Sequence, residues 1–155
     1  MVDLDYINGP VITIETLILP DLFAVSTIIA EAGNQPLNGM IAVAEVIRER
    51  ARRRYNSDGS IIGTLLHPYQ FSCWNHDLNS RRLMIRSINS LALLNPIPQP
   101  NVKLAVEAWA KSKTTNLTNK AVLYHTQWIS PNWTKNLKVI KTVQIGDHLF
   151  YNEVI

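Results

Sequence analysis

Residues 22–54 read LFAVSTIIAEAGNQPLNGMIAVAEVIRERARRR, two apolar helical segments joined by a short polar turn. In the first, Leu22, Val25, Ile29 and Ala32 recur at helical spacing while most other positions are apolar too, so this helix is expected to run through the middle of the molecule. Asp21 is placed to cap its start, and Gly33 to end it in a left-handed conformation. The second helix is expected from Asn38 to Arg54. Pro36 and Asn38 supply its start, Ile41, Val43, Ala44, Val46 and Ile47 its packing face, and its alanines permit close approach to a neighbour.

Outward from this pair, residues 1–20 read as an N-terminal arm or edge strand, with alternation in VITIET and a proline stop at Pro20. Downstream, Asn56–Gly59 make a turn, Ile61–Leu66 a short helix, and HPYQFSCWN (67–75) a loop mixing aromatic and polar groups. A helix over Ser80–Leu94 follows. Pro96, Pro98 and Pro100 then break the chain before another helix carrying Val102, Ala105, Val106 and Trp109. After Thr114 the pattern becomes strand-like in AVLYH and KTVQIGDHLFY, with Gly146 and Asp147 able to turn a hairpin. There is no internal repeat and no linker. The expected fold class is α+β, mainly helical, with residues 21–155 a single domain closed by a small C-terminal β-hairpin or sheet.

A chain of 155 residues with 46% apolar and 17% charged residues buries a core without staples and is too apolar to be disordered, yet no stretch is long enough for a membrane span. The single cysteine, Cys73, forms no internal bridge. The first residues carry acids where an export leader would carry positive charge, so none is expected here. The net charge of +3 is concentrated in RERARRR, residues 48–54. That run invites a nucleic-acid reading, but no recognition motif accompanies it, and Glu45 and Glu49 lie one turn from Arg48, Arg52 and Arg53. A solvated, ion-paired helix face is therefore expected, with no nucleic-acid partner.

Among the carboxylates Glu31 stands apart. It ends an apolar helix, where desolvation and the negative end of the helix dipole both favour its protonated form, as a general acid requires. The plainer alternative is a polar helix-end residue facing water. His67, His76, His125 and His148 raise the thought of a zinc hydrolase, but their spacing matches no helix metal motif and no metal or cofactor is implied.

Four separated strings resemble, in order and spacing, the cell wall hydrolases of the spore cortex-lytic enzyme type: IIAEAGNQPLNGMIAVAEVIRER, the tripeptide Gln70–Phe71–Ser72, YHT at Tyr124–Thr126 with Pro131 and Trp133 beyond it, and IGDHLFY at Ile145–Tyr151. The resemblance implies a lysozyme-like, transglycosylase-like fold that cleaves peptidoglycan glycan strands between N-acetylmuramic acid and N-acetylglucosamine, with Glu31 as catalytic acid. Three positions depart from the family pattern: Gln35 replaces a frequent Glu, Met40 a frequent Gln, and Glu49 a frequent Asn. The change at Gln35 removes a possible accessory carboxylate and favours a one-carboxylate, lytic transglycosylase reaction over a hydrolytic muramidase. Asp77 is the remaining candidate partner.

Given that resemblance, Gln70 and Ser72 are candidates for substrate contacts, and Trp74 and Trp128 for aromatic walls of a sugar groove. Tyr124 and His125 are candidates to position substrate or water. For His125 the alternative is a hydrogen-bonded structural histidine and for Phe71 it is the core, while His148 reads as a hairpin histidine bonded to backbone and Trp109 as a core residue of its helix. Together with the missing leader, the resemblance implies a phage or prophage lysin, either a free endolysin or a virion component docked to tail or baseplate proteins through its N-terminal arm. A virion protein that binds glycan without cutting it remains the non-enzymatic alternative.

Overall fold

The first central helix, α1, runs from Leu19 to Ala32, beginning two residues before the expected Asp21 cap. Asp21 lies inside the first turn and its carboxylate accepts from the Ile18 amide at 3.3 Å. Gly33 ends the helix in right-handed geometry (φ −62°), so the left-handed cap expected there does not form. α1 buries Leu22, Ala24, Val25, Ser26, Thr27, Ile28 and Ala32 and is touched by all the other described helices. This is the central position its all-round apolar surface predicts.

The structure, a computed structural model, describes residues 3–4, 12–13, 18–75, 78–92 and 101–154. Short strands β1 (Asp3–Leu4) and β2 (Ile12–Thr13) pair antiparallel with each other and, among the described residues, with no other strand. The helices that follow are α2 (Leu37–Arg53), α3 (Ile61–Leu66), α4 (Leu78–Ala92) and α5 (Val102–Lys111). Arg54 closes α2 with φ 54°, and the Ser60 hydroxyl caps α3 by accepting from the Gly63 amide at 2.9 Å. The expected Pro-rich break and Asp77 lie outside the described residues.

The C-terminal hairpin is larger than expected. Strands β3 (Leu123–Thr126), β4 (Val139–Ile145) and β5 (His148–Glu153) form a three-stranded antiparallel sheet in the order β3-β5-β4. Gly146 (φ +56°) and Asp147 turn β4 into β5, and the register sets Tyr124 opposite Phe150 and His125 opposite Leu149. Both AVLYH and IGDHLFY therefore lie on neighbouring strands of one sheet.

The arginine run is not the solvated face its charge suggests. Only Arg52 pairs with Glu49, and exposed pairs of that kind add little. Arg48 turns inward, donating to Ser112 Oγ (2.7 Å) and the Trp109 carbonyl (2.6 Å) with its guanidinium over the Trp109 ring. Arg50 is buried and donates to the Val122 carbonyl, and Arg53 reaches Asn152 and the Glu153 carbonyl. Glu45 pairs with none of them. Its buried carboxylate accepts from Thr115 Oγ1, the Leu117 amide and both the amide and hydroxyl of Thr118, fastening the 115–118 turn to α2. The run thus ties α2 to α5 and to the sheet, because each inward arginine meets main-chain carbonyls that need donors.

Candidate active site

Glu31 occupies the last turn of α1, where that helix ends against the sheet. Its Oε2 accepts a 3.1 Å hydrogen bond from the Tyr124 hydroxyl on β3, and its buried Oε1 has no partner. Burial raises the carboxyl above its usual range, opposed by the Tyr124 hydrogen bond, by the nearby Cys73 thiol and main chain, and by the charge of Arg50. Desolvation outweighs these, so the neutral acid persists to higher pH than in water. An acidic proton with no internal acceptor, in a cleft, is what donation to a leaving oxygen requires.

Tyr124 is held as the neutral phenol by burial and by the charge of Glu31, so it remains a hydrogen-bond donor. Its ring stands edge-on to His148 (5.2 Å between centroids) and tilted against Phe150 (5.6 Å). His148 lies beside the same cleft with its buried Nδ1 unpartnered, so the expected bond to backbone does not form at that nitrogen. Burial lowers its pKa, with Asp147 pulling the other way and His125 adding to the lowering, which favours a neutral imidazole.

The cleft holds about 540 Å³ and is lined by Ile29, Glu31, Asn34 and Gln35 from the end of α1 and the turn after it, Asn101 before α5, Thr126 at the end of β3, Trp128 beyond it, Asp147 in the β4–β5 turn and His148 at the start of β5. Trp128 is 70% exposed at its rim, a flat apolar face of the kind that packs on pyranose rings. A second depression of about 330 Å³ lies on the other side of Tyr124 and includes Arg50, Tyr55, Tyr69, Gln70 and Trp133. Tyr124 lines it while its hydroxyl reaches Glu31.

The structure thus places Glu31 and Trp128 on one cleft and Tyr124 and Gln70 on the second depression, with the Tyr124 hydroxyl reaching Glu31 between the two, and it puts the other candidates elsewhere. Gln70 borders the second depression, where its Oε1 accepts from both Arg50 Nη1 and Asn56 Nδ2 at 3.1 Å, so its amide oxygen is already engaged in supporting a buried guanidinium. Ser72 is exposed on the 3₁₀ turn Ser72–Trp74 and lines neither depression. Trp74 is a correction: it is 7% exposed, stacks on Phe23 (5.0 Å) and donates Nε1–H to Thr27 Oγ1 at 2.8 Å, which makes it core. His125 is corrected likewise. It is buried, bonded to the Thr126 carbonyl (2.6 Å) and the Tyr151 hydroxyl (2.8 Å), and packed between Tyr151 and Trp133. Alternation along β3 sends Tyr124 and His125 to opposite faces, so only one of the two can face Glu31.

Asp147, Asn34, Thr126 and Asn101 also line the cleft, and no pattern or spacing in the sequence marks them as site residues. Asp147 belongs to the IGDHLFY string, where its neighbour Gly146 makes it a turn residue, and only the fold carries that turn to the end of α1. Of the histidines, His67 is exposed in its loop and His76 lies outside the described residues. Among the described residues no three His, Cys, Asp or Glu side chains gather as metal ligands do, and no helix is long and apolar enough to cross a membrane.

Comparison with known proteins bears on the fold and the family. The chain superposes on the catalytic domain of the germination-specific lytic transglycosylase SleB from Bacillus anthracis with a TM-score of 0.61 at 18% identity, covering 88% of this chain and 98% of that one. The catalytic domain of the Bacillus cereus SleB protein gives the same TM-score and identity, over 96% and 98% of the two chains. At that identity the likeness shows the fold, which is the lysozyme-like, mainly helical one. No curated protein matches the sequence. The cell wall hydrolase family model matches residues 34–151, which include α2 to α5, β3, β4 and all of β5 but its last two residues, and the chain therefore belongs to the cell wall hydrolase family.

Proposed function

We propose that this enzyme cleaves the glycan strands of bacterial peptidoglycan between N-acetylmuramic acid and N-acetylglucosamine as a lytic transglycosylase. The observation that carries the reading is Glu31, a desolvated carboxyl with one oxygen steadied by Tyr124 and the other unpartnered in a cleft bordered by an exposed tryptophan. Glu31 gives its proton to the glycosidic oxygen as the bond to the muramic anomeric carbon breaks. The resulting carboxylate then takes the proton of the muramic C6 hydroxyl, whose oxygen closes on the anomeric carbon to form a 1,6-anhydro ring. One carboxyl serves both steps because the first leaves it ionised and the second restores its proton. That the Bacillus anthracis neighbour is a lytic transglycosylase supports this outcome.

Hydrolysis is the second reading, and Asp147 favours it, since a second carboxylate in the cleft is what a muramidase uses. Mass spectrometry of muropeptides released by the wild type and by a folded Glu31→Gln variant decides between them. Products one water lighter than hydrolysis products, absent with the variant, are expected. Hydrated reducing ends would establish the muramidase, and an active variant would remove Glu31 from the reaction. The biological setting we assign is a phage or prophage lytic system. Its test is whether the protein is found in purified particles, in lysates, or in neither.

A further inference from the structure

The half-buried carboxylate of Asp147 is held by hydrogen bonds from two separate segments of the chain. It sits at the β4–β5 turn on the wall of the Glu31 cleft. Gln35, 112 residues earlier in the turn after α1, donates Nε2–H to its Oδ2 at 2.9 Å, and the Asp147 amide donates back to Gln35 Oε1 at 3.1 Å. Gln127 donates Nε2–H to its Oδ1 at 3.2 Å, while the Gln127 amide donates to the Asp147 carbonyl at 2.8 Å. Both carboxylate oxygens and both main-chain polar groups are thereby fixed.

The turn is shaped for this. Gly146 has φ +56°, and a Cβ there would overlap Gln35 Oε1, so glycine is needed both for the backbone conformation and for the approach of the amide. The donors are also informative. Two neutral amides orient a carboxylate without cancelling its charge, unlike the arginine that neutralises Glu49. The cleft therefore presents two carboxyl groups in contrasting surroundings: Glu31 buried with an unpartnered oxygen, and Asp147 in a polar setting with both oxygens accepting hydrogen bonds. Contrasting environments for two carboxyls on one cleft are how a glycosidase separates an acid from an ionised stabiliser.

We propose that Asp147 is the second carboxylate of the reaction centre, opposing with its negative charge the positive charge that develops at the anomeric carbon, and that Gln35 and Gln127 are the positioning residues that aim it. The inference rests on the glycosidase reading and holds for either product. Asp147 forms no bond. As the glycosidic bond breaks, its electron pair leaves with the oxygen protonated by Glu31, and the sugar cation faces Asp147 until the C6 hydroxyl oxygen, or water, supplies a new pair and gives its proton to Glu31. Such charge stabilisation acts on the transition state and not on bound substrate, so it is read in kcat and not in KM.

The test is steady-state kinetics on soluble peptidoglycan glycan fragments, with rates taken per folded molecule. Asp147→Asn is expected to lower kcat about 100-fold with KM nearly unchanged. Asp147→Ala should be equally slow and regain rate on adding formate, which restores a small carboxylate to the vacated space. Should neither variant fold, Gln35→Met keeps the charge and loosens it, and is expected to lower kcat about tenfold at constant KM. Wild-type kcat in a folded Asp147→Asn protein, a loss confined to KM, failure of formate to restore a folded Asp147→Ala protein, or an unaltered Gln35→Met enzyme would each overturn the proposal. These outcomes leave the glycosidase reading standing if Glu31→Gln is inactive, whereas a wild-type protein that releases no glycan fragments brings down both.

Discussion

Replacing Glu31 with glutamine is expected to abolish turnover and, at the same time, to change how stability depends on pH. The fold can accept the change, because the amide oxygen can still receive the 3.1 Å hydrogen bond of Tyr124. Loss of a general acid lowers kcat by about 100- to 10,000-fold. For stability the sign follows from linkage. Burial raises the folded-state pKa of Glu31 above its ordinary 4.5. Below the unfolded value both states hold the proton and the group contributes no pH dependence. As the pH climbs through the interval up to the folded value, the native state keeps a proton that the unfolded chain releases, so wild-type stability falls; above the folded value the loss is complete and constant. The glutamine variant has no such term. Each pH unit separating the two values is worth about 1.36 kcal/mol, or about 3–5 °C in Tm for a chain of this size. The buried amide nitrogen, placed where Oε1 has no partner, contributes a cost of about 1–3 kcal/mol that does not vary with pH, so the slope carries the information and the intercept does not. Thermal melts of both proteins from about pH 4 to pH 9 measure it. The variant should gain on the wild type with rising pH and then run parallel. Curves parallel throughout would refute the claim that burial holds Glu31 protonated.

Other substitutions separate the site from its scaffold. Gln70→Ala removes the acceptor shared by Arg50 and Asn56 and should cost about 1–3 kcal/mol, seen as a lower Tm; an unchanged melting point would return Gln70 to a purely substrate-facing role. Trp128→Ala, at the exposed rim, should raise KM by about 5- to 10-fold, the worth of about 1 kcal/mol of stacking, with Tm unaltered, and an unchanged KM would take the rim out of the binding surface. Glu45→Ala strips four hydrogen bonds from the 115–118 turn and should be among the most destabilising single changes, about 3 kcal/mol or more by denaturant titration, although it touches no cleft residue.

The sequence by itself determined the helical framework, because apolar periodicity and local turn chemistry are short-range properties. α3 falls on the predicted Ile61–Leu66, and α2 is displaced by one residue at each end. It also singled out Glu31, since a carboxylate at the end of an all-apolar helix has an unusual environment that the helix itself creates. What only the tertiary structure decided is which polar residues share that environment. Trp74 and Trp128 both sit in loops of similar composition, and it is packing against Phe23 and Thr27 that sends one to the core while the other stays at the rim. Tyr124 and His125 are neighbours in sequence, but the pleat and the pairing with β5 turn one to Glu31 and the other to Tyr151. The arginine run looked like a charged face because charge is visible locally and the carbonyls that claim it come from 61 to 100 residues away. Asp147 was silent for the same reason: its clamp joins residues 112 apart, and a hydrogen bond of that span has no period, motif or spacing to announce it.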